Sequence, residues 1–498
     1  MNGEKIWRKR GSMPYEEPLI FEKSVPHQEG FQVSAEKPET RPESVIPKNL
    51  LRKSPLALPE VAEPEVVRHY SRLSTWNYSV DHGFYPLGSC TMKYNPKLNE
   101  FTAALPGFSG LHPESPESMM QGMLELWYRL EKYLAEICGM DACTIQPCAG
   151  AHGELTGMML FRAYFDDRGR KRSKILLPDT AHGTNPASAS LAGFEVKEVE
   201  TQNGLLTPEL LKPHLDETVA GLMLTNPNTL GLFETHIGKI AEMLHAAGGL
   251  LYMDGANLNA LMGIARPGEM GVDVMQMNLH KTFSTPHGGG GPGAGPVAVK
   301  KILEPYLPNP RVLKEGDGYR LDCSNQKSIG RMTGWYGNSL VWVKAFSYIL
   351  RMGKDGLKLA SELAVLNANY LRARLRDHFQ ITYPEACMHE CVFSDKGLPN
   401  QITTMDVAKR LIDYGFHPPT IYFPLVIHGA LMIEPTETES KARLDEFVSA
   451  MLEIRKEAES SPEILKSAPL KTPVSRLDEV AAARHPVLCW GATGADGK

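Results

Sequence analysis

The stretch DVMQMNLHKTFSTPHGGGGPGAGPV, residues 273–297, joins an apolar run, one lysine and a tract of glycine and proline. Lysine is rarely buried, and the tract around His287–Gly291 gives up more backbone entropy on folding than a simple turn requires. One interpretation is a strand, a surface lysine and a flexible loop. The other is that Lys281 is a nucleophile beside bare backbone that a ligand approaches closely. The residues around this stretch are needed to choose between the two interpretations.

Strand-like apolar runs alternate with helical patterns around this stretch. The runs are KILLPD (174–179), GFEVKEVE (193–200), VAGLMLTNPN (219–228), GGLLYMDGAN (248–257) and DVMQMNLH (273–280). The alternation predicts an α/β fold with a mostly parallel sheet, and ligands of such sheets bind beyond the carboxyl ends of the strands. Four polar residues follow these runs, namely Asp179, Asn226, Asp254 and Lys281. We therefore expect a site at this edge of the sheet.

The chain of 498 residues is too long for a single hydrophobic core. Residues 1–65 are rich in proline and charge, which predicts an extended arm that packs on a partner. Residues 66–330 carry the strand–helix alternation and predict the large α/β domain, and residues 331–498 predict a smaller C-terminal α+β domain with a tail. There, Thr436 and Glu439 are spaced for a capping box at a helix start. The core face expected for that helix consists of Leu444, Phe447, Val448, Met451 and Leu452.

Composition excludes several functional classes. The net charge of −5 gives no basic field for nucleic acid or an anionic membrane. No apolar stretch approaches the roughly 20 residues of a membrane span, and the N-terminus lacks the apolar core of a secretory signal. Eight scattered cysteines indicate a reducing compartment rather than a disulfide framework, so we expect a cytoplasmic protein.

Two cysteine groups could be considered as metal sites. They are Cys138, Cys143, Cys148 with His152, and Cys387 with Cys391 on either side of His389. Neither has the C-x2-C spacing typical of structural zinc sites. We interpret them as small buried thiols and expect no metal.

The polar residues at strand ends match the needs of pyridoxal phosphate. Gly150 and Ala151 open a helix whose backbone N–H groups could hold a phosphate, and His152 could lie flat on a ring. A carboxylate such as Asp254 keeps a pyridine nitrogen protonated, while Lys281 forms a Schiff base with the aldehyde. Taken singly, Asp254 could be a helix cap and His152 a core histidine. Their order along the chain, with Asn226 between them, favours the cofactor site.

Seven stretches carry a resemblance to a known family. They are YPLGSCTMKYNP (85–96), CAGAHGE (148–154), DTAHGTNPASA (179–189), NPNTLGLFE (226–234), DGANLNA (254–260), NLHKTFSTPHGGGGPGAGP (278–296) and MIEPTE (432–437). Together they resemble the P-protein of the glycine cleavage system, a fold-type I pyridoxal phosphate enzyme. The resemblance runs from about residue 65 to about residue 455. In some organisms this protein is split into two subunits, and this chain resembles the second, cofactor-bearing one.

The resemblance implies roles for individual residues. Lys281 would be the Schiff-base lysine, Asp254 the partner of the ring nitrogen, and His152 the residue stacked on the ring. Gly150 and Ala151 would cradle the phosphate. Further residues expected to bind the cofactor are Asn226, Thr184, Ala256 and His280, and His182 and Asn185 match a family motif near the pocket. Two stretches depart from the family pattern. Gln276 and Met277 stand where the family often has histidine and leucine, and the segment TGWYGN (333–338) differs from its usual form.

The implied activity is decarboxylation of glycine, with transfer of the aminomethyl group to the lipoyl arm of H-protein. The implied partners are the first P-protein subunit, in an α2β2 assembly, and lipoylated H-protein, with neither nucleic acid nor membrane. One alternative is another fold-type I decarboxylase or aminotransferase, for which Arg331 and Arg266 are candidate carboxylate-binding residues. The other is a non-catalytic scaffold subunit. Cys90 is expected either near the active-site entrance or as a buried thiol.

Overall fold

The computed structural model describes residues 17–28, 30, 40–54, 56, 58–286 and 291–488. The chain forms two compact units, one of residues 1–79 with 467–498 and the other of residues 80–466. The predicted boundary near residue 330 falls inside the second unit and stays a prediction. Within the described ranges, no helix combines the length and the apolar character that crossing a membrane would need.

The larger unit is built on a seven-stranded mixed sheet with the order β1-β7-β6-β5-β4-β2-β3. The strands are β1 (Ala142–Thr144), β2 (Lys174–Pro178), β3 (Glu195–Val199), β4 (Val219–Thr225), β5 (Leu250–Gly255), β6 (Val274–Met277) and β7 (Val297–Val299). Neighbouring strands from β3 to β6 are parallel, and β7 is antiparallel to both of its neighbours. The five strands predicted from sequence are all present, which confirms the mostly parallel sheet.

The helices cover both faces of this sheet, as the almost continuously apolar central strands require. The helices of the larger unit before residue 300 are α3 (Lys97–Ala103), α4 (Pro106–Ser109), α5 (Gln121–Cys138), α6 (Gly150–Asp167), α7 (Thr184–Leu191), α8 (Pro208–Leu211), α9 (Ile237–Ala246) and α10 (Leu279–Thr282). Alternate side chains of β5 enter different cores: Leu251 and Met253 lie in one, and Leu250 and Tyr252 in the other. Burial on both faces leaves the strand ends as the place where polar groups can gather.

A second, antiparallel sheet follows in the order β10-β11-β13-β12. Its strands are β10 (Gln380–Ile381), β11 (Cys391–Ser394), β12 (Thr420–Ile421) and β13 (Ala430–Ile433), preceded by the hairpin β8 (Arg311–Glu315) and β9 (Gly318–Asp322). The accompanying helices are α11 (Ser339–Leu375), α12 (Thr404–Asp413), α13 (Lys441–Ser460) and α14 (Pro462–Ser467). Gly353, with φ +62°, interrupts α11.

The predicted start of α13 is wrong, although its core face is right. The helix begins at Lys441, and the hydroxyl of Ser440 accepts the backbone N–H of Arg443 at 3.4 Å. Thr436 has φ +62° and its hydroxyl accepts the N–H of Thr438, so it caps a turn and not the helix. Four of the five predicted core residues are fully buried, and Leu452 is half-buried.

The smaller unit contains α1 (Pro42–Val45), α2 (Glu63–Ser74) and α15 (Glu479–Arg484). Glu17 accepts hydrogen bonds from His69 at 2.8 Å and Arg72 at 2.5 Å, and it pairs with Lys23 at 2.9 Å. This cluster attaches the segment around Glu17 to α2. The described parts of the predicted arm, residues 1–65, therefore contain local structure. Its other residues lie outside the described part of the chain.

Candidate active site

A polar cavity of about 170 Å³ lies at the carboxyl ends of β4, β5 and β6. Six of the residues predicted for the site line it, namely Gly150, Ala151, Thr184, Asp254, Ala256 and Lys281. A larger cavity of about 340 Å³ is bordered mostly by apolar groups such as Trp127, Trp335 and Trp342. Because the smaller cavity gathers the titratable and nucleophilic groups, we assign the chemistry to it.

Lys281 lies in the single turn of α10, four residues beyond the end of β6. Within the described part of the chain, its amino group makes no hydrogen bond or salt bridge to another residue, so it is available to a ligand in the cavity. The turn itself is held firmly. The buried ammonium of Lys93 donates to the carbonyl of Thr282 at 2.9 Å, and the Thr282 hydroxyl accepts the N–H of Leu258 at 2.8 Å.

Asp254 is the penultimate residue of β5 and pairs with Thr225 of the neighbouring strand β4. Its side chain is 3% exposed, and one carboxylate oxygen accepts the N–H of Ala256 at 2.9 Å. The hydroxyl of Thr225, also on the cavity, has no hydrogen-bond partner among the described residues. A buried acceptor and an unpaired hydroxyl at the same strand edge are groups that a polar ligand would satisfy.

His182 and Glu154 form the wall facing Asp254. Nδ1 of His182 lies 2.8 Å from the hydroxyl oxygen of Thr184, and that hydroxyl donates to Glu154 at 2.8 Å. Burial lowers the pKa of His182, against the opposing effect of Asp254, so the imidazole is neutral near pH 7. Burial, followed by the charge of Asp254, raises the pKa of Glu154 to about 7.

The start of α6 provides a cradle for an anion. No side chain caps this helix, and Gly150 and Ala151 at its first two positions border the cavity. A Cβ at Gly150 would lie 2.6 Å from Oδ1 of Asn278, and one at Gly295 would lie 2.0 Å from the carbonyl oxygen of Ala149. Gly295 therefore packs closely against the backbone at the start of α6, while the approach of a ligand to the glycine-rich tract stays a prediction. Residues 287–290 of that tract lie outside the described residues.

Four predicted polar residues do not line the cavity and have hydrogen bonds elsewhere. Nδ1 of His152 accepts the N–H of Cys148 at 3.2 Å, and Nδ1 of His280 accepts the N–H of Ala294 at 3.2 Å. Oδ1 of Asn226 accepts the N–H of Glu234 at 3.0 Å. The carboxylate of Asp179 accepts the hydroxyl of Thr201 at 2.7 Å. None of the four is among the residues that line the described cavity.

Sequence reasoning missed other residues of the lining. Glu154 lies four positions after Gly150 on α6, so helical spacing could have identified it. Ser89, His389 and Glu390 come from distant parts of the chain. Ser89 lies within the stretch 85–96 that carries the family resemblance, whereas the local sequence of His389 and Glu390 did not predict a place at the site. In the described residues, the cysteines considered above do not gather into a group spaced for a metal ion.

These groups fit pyridoxal phosphate. The uncapped start of α6 suits a phosphate, the Asp254 carboxylate suits a protonated pyridine nitrogen, and the unpaired amino group of Lys281 suits an aldehyde. The tight packing of Gly150 and Gly295 brings bare backbone to the phosphate end of the cavity.

Comparisons with known proteins identify similar chains over almost the whole length. Residues 37–314 match the family model of the glycine cleavage system P-protein, and residues 360–470 match that of the glycine dehydrogenase C-terminal domain. A relative from Caldanaerobacter subterraneus subsp. tengcongensis, named probable glycine dehydrogenase (decarboxylating) subunit 2, is 58% identical over 478 residues. That match covers 95% of this chain and 98% of the relative. A protein of the same name from Kosmotoga olearia is 58% identical over 476 residues, covering 95% and 99%.

Among solved structures, an inhibitor-bound glycine decarboxylase (P-protein) of the glycine cleavage system superposes with a TM-score of 0.71 at 22% identity. The superposition covers 82% of this chain and 94% of that one. The fold is that of the fold-type I pyridoxal phosphate enzymes, as predicted.

Proposed function

Because the chain belongs to the glycine cleavage system P-protein family, we propose that it is the catalytic subunit that decarboxylates glycine with pyridoxal phosphate. It then passes the aminomethyl group to the lipoyl arm of H-protein. The observation that carries the proposal is that Lys281, Asp254 and the uncapped start of α6 border one cavity.

The bound cofactor would withdraw electrons from the substrate's α-carbon, which makes loss of its carboxylate feasible. Lys281 holds the cofactor covalently, and Asp254 pairs with the ring nitrogen and keeps it protonated. The N–H groups at Gly150 and Ala151 bind the phosphate. Ala256 leaves room beside the ring.

His182 is a better candidate than His152 for the flat partner of the ring. His182 lines the cavity, and Thr184 and Glu154 fix its orientation. His152 faces the Cys148 backbone instead. In this proposal His152, Asn226 and His280 support the backbone around the cavity and do not contact the cofactor.

The cavity favours a small substrate with a single carboxylate. No arginine lines it in the described part of the chain, and three carboxyl groups do, those of Glu154, Asp254 and Glu390. Arg266 pairs with Glu269 at the surface, and it does not enter the cavity. A second carboxylate on the substrate would meet like charges without a cation, which disfavours an enzyme for dicarboxylic amino acids.

A non-catalytic scaffold role is the alternative from another class. The site argues against it, because a scaffold has no use for an unpaired lysine at a cavity that also holds a buried aspartate and an uncapped helix start. Buried charged groups lower the stability of the fold unless they are paired. Their presence at this cavity is therefore better explained by a function than by stability.

The partners follow from the relatives, which are named subunit 2. We propose that the first P-protein subunit pairs with this chain in an α2β2 assembly, and that H-protein docks transiently. Exposed apolar side chains in the smaller unit, such as Leu50, Leu58 and Leu477, are suited to such an interface.

We propose a cytoplasmic location for the protein. The seven described cysteines are free thiols, as is usual in that reducing compartment.

Borohydride reduction of the cofactor-loaded chain tests the proposal. Peptide mapping should place the pyridoxyl mass on Lys281, since its amino group borders the phosphate cradle. Lys301→Ala, which removes an exposed lysine paired with Glu304, should leave the labelling unchanged. A label on any other lysine would overturn the assignment.

A further inference from the structure

A buried acidic cluster lies beside the site, made of His389, Glu390 and Glu434. One side-chain nitrogen or oxygen of each residue lies within 4.8 Å of those of the other two, and each residue is at most 3% exposed. The register of the smaller sheet brings them together, because β11 and β13 pair Cys391 with Ile433. Glu390 and Glu434 are therefore the next residues along these two antiparallel strands.

Both carboxyl groups are held by neutral donors. Glu434 accepts the N–H of Thr91 at 2.9 Å, the hydroxyl of Thr91 at 2.7 Å and the side-chain amide of Asn257 at 2.7 Å. Glu390 accepts only the N–H of Ser89, at 2.8 Å, among the described residues. The unequal number of donors means that the negative charge is better stabilised on Glu434 than on Glu390.

Among the described residues, no lysine or arginine forms a salt bridge with either carboxyl group. Nε2 of His389 lies 3.8 Å from Glu390, but burial lowers the pKa of this imidazole, so it stays neutral. Burial, and then the charge of Glu434, raises the pKa of Glu390 well above its ordinary value. Two buried carboxyl groups this close cannot both ionise, so they hold one proton between them.

The pair faces the catalytic lysine. Glu390 and His389 line the same cavity as Lys281, whose positive charge acts on both of them. The other titratable groups near the pair include the thiols of Cys90 and Cys387 and the buried ammonium of Lys93, whose charge interacts with that of Glu434. Burial raises the pKa of Cys90, so this thiol is neutral near pH 7.

We propose that Glu390 and Glu434 share one proton that they exchange with Lys281 whenever a substrate amine takes its place, an inference that rests on the proposed function. In that exchange, the bond from the cofactor carbon to the lysine nitrogen breaks, and a bond to the substrate nitrogen forms. The lysine nitrogen gains one proton and the substrate nitrogen loses one. Glu390 gives its proton to the lysine, and the pair recovers one from the substrate, so no further reactant is needed.

Infrared spectroscopy of the cofactor-free chain tests the shared proton without any turnover. A protonated carboxyl band should persist well above the pH range in which an ordinary glutamate titrates, and this band should disappear in Glu390→Gln. In Glu434→Gln, burial still raises the pKa of Glu390 but the charged neighbour is gone, so the band should disappear at a lower pH than in the wild type. Glu439→Gln is the matched control, because burial raises the pKa of Glu439 only to about 7 and it does not line the cavity.

The rate of amine exchange tests the role of the proton. Glu390→Gln should slow the change in visible absorbance on mixing loaded enzyme with glycine, by on the order of 100-fold. Thermal unfolding should stay close to wild type, because glutamine still accepts the N–H of Ser89. In Glu434→Gln, the rate of amine exchange should begin to fall at a lower pH than in the wild type, because Glu390 loses its proton more readily without the charged neighbour.

Two results would overturn the inference: a carboxyl band unchanged in Glu390→Gln, or amine exchange within about threefold of wild type in that variant. Failure of the proposed function looks different, because wild-type protein would then show the infrared band and no absorbance change with glycine.

Discussion

Asp179 and Asp254 both follow apolar strands in the sequence, yet only one of them reaches the cavity. Asp254 borders it, while Asp179 binds Thr201. We expect Asp254→Asn to lower glycine–bicarbonate exchange by about 100-fold or more, because a preorganised charge partner is lost. Asp179→Asn is the matched control and should stay within about threefold of wild type. Equal losses in both variants would show that Asp254 has only a structural role.

The predicted residues that line the cavity are those whose position is fixed locally. Lys281, Asp254, Gly150 and Ala151 lie at strand ends or at a helix start, and the strand pattern places such positions. The pattern does not determine where a side chain points once it leaves the element. His152 therefore turned out to face the backbone, and the role proposed for it passes to His182.

Glu390 and Glu434 could not be predicted for a different reason. They meet only because two strands about forty residues apart pair in one particular register. Strand pairing is a tertiary property, and although Glu434 lies in the stretch MIEPTE (432–437), the local sequence does not show that it meets Glu390. Thr436 shows the same limit, since a capping-box spacing was satisfied by a turn and the helix began later.

At the level of elements, the glycine-rich loop packs tightly against the start of α6. We expect Gly295→Ala to destabilise the chain by about 2 kcal/mol, because its Cβ would overlap backbone. Pyridoxal phosphate affinity should also fall, since the overlap is with Ala149, which precedes the phosphate cradle. Thermal unfolding and an absorbance titration measure the two effects.

Gly238→Ala in α9 is the matched control. A Cβ there meets nothing within 4 Å, so the change should be neutral or should stabilise the helix by about 0.5 kcal/mol. Comparable destabilisation by both substitutions would contradict the close-packing argument.

The loop after β4 is predicted to make stability depend on pH through Glu234. Its carboxylate accepts Asn228 at 2.9 Å and the N–H of Leu206 at 3.1 Å, and burial raises its pKa to about 7. Because the pKa of Glu234 is higher in the folded chain, this group stabilises the fold fully at pH values below its unfolded pKa of 4.5. This stabilisation is lost as the pH rises to about 7. We expect Glu234→Gln to remove that component, at most about 3 kcal/mol, from the pH dependence of unfolding.

Exposed Glu195 supplies the control for this measurement. Glu195→Gln should leave the dependence of the unfolding free energy on pH unchanged between about pH 5 and pH 7. An unchanged slope in Glu234→Gln would show that its carboxyl group titrates as it does in the unfolded chain.

At the scale of the whole molecule, the two units have different roles in this account. Residues 80–466 contain every group that borders the site. Residues 1–79 with 467–498 contain exposed apolar side chains and no cavity-lining residue among those described. We expect deletion of residues 1–65 to leave the larger unit folded and to weaken association with the first subunit. Sedimentation of mixtures of the two chains measures this association.

The most direct measurement is the exchange of labelled bicarbonate into the carboxyl group of glycine. The chain with pyridoxal phosphate, the first subunit and lipoylated H-protein should catalyse it, and omission of any one component should reduce it strongly. Lys281→Ala should abolish exchange while the assembly still forms. No exchange in the complete mixture, or unaltered exchange with Lys281→Ala, would contradict the account.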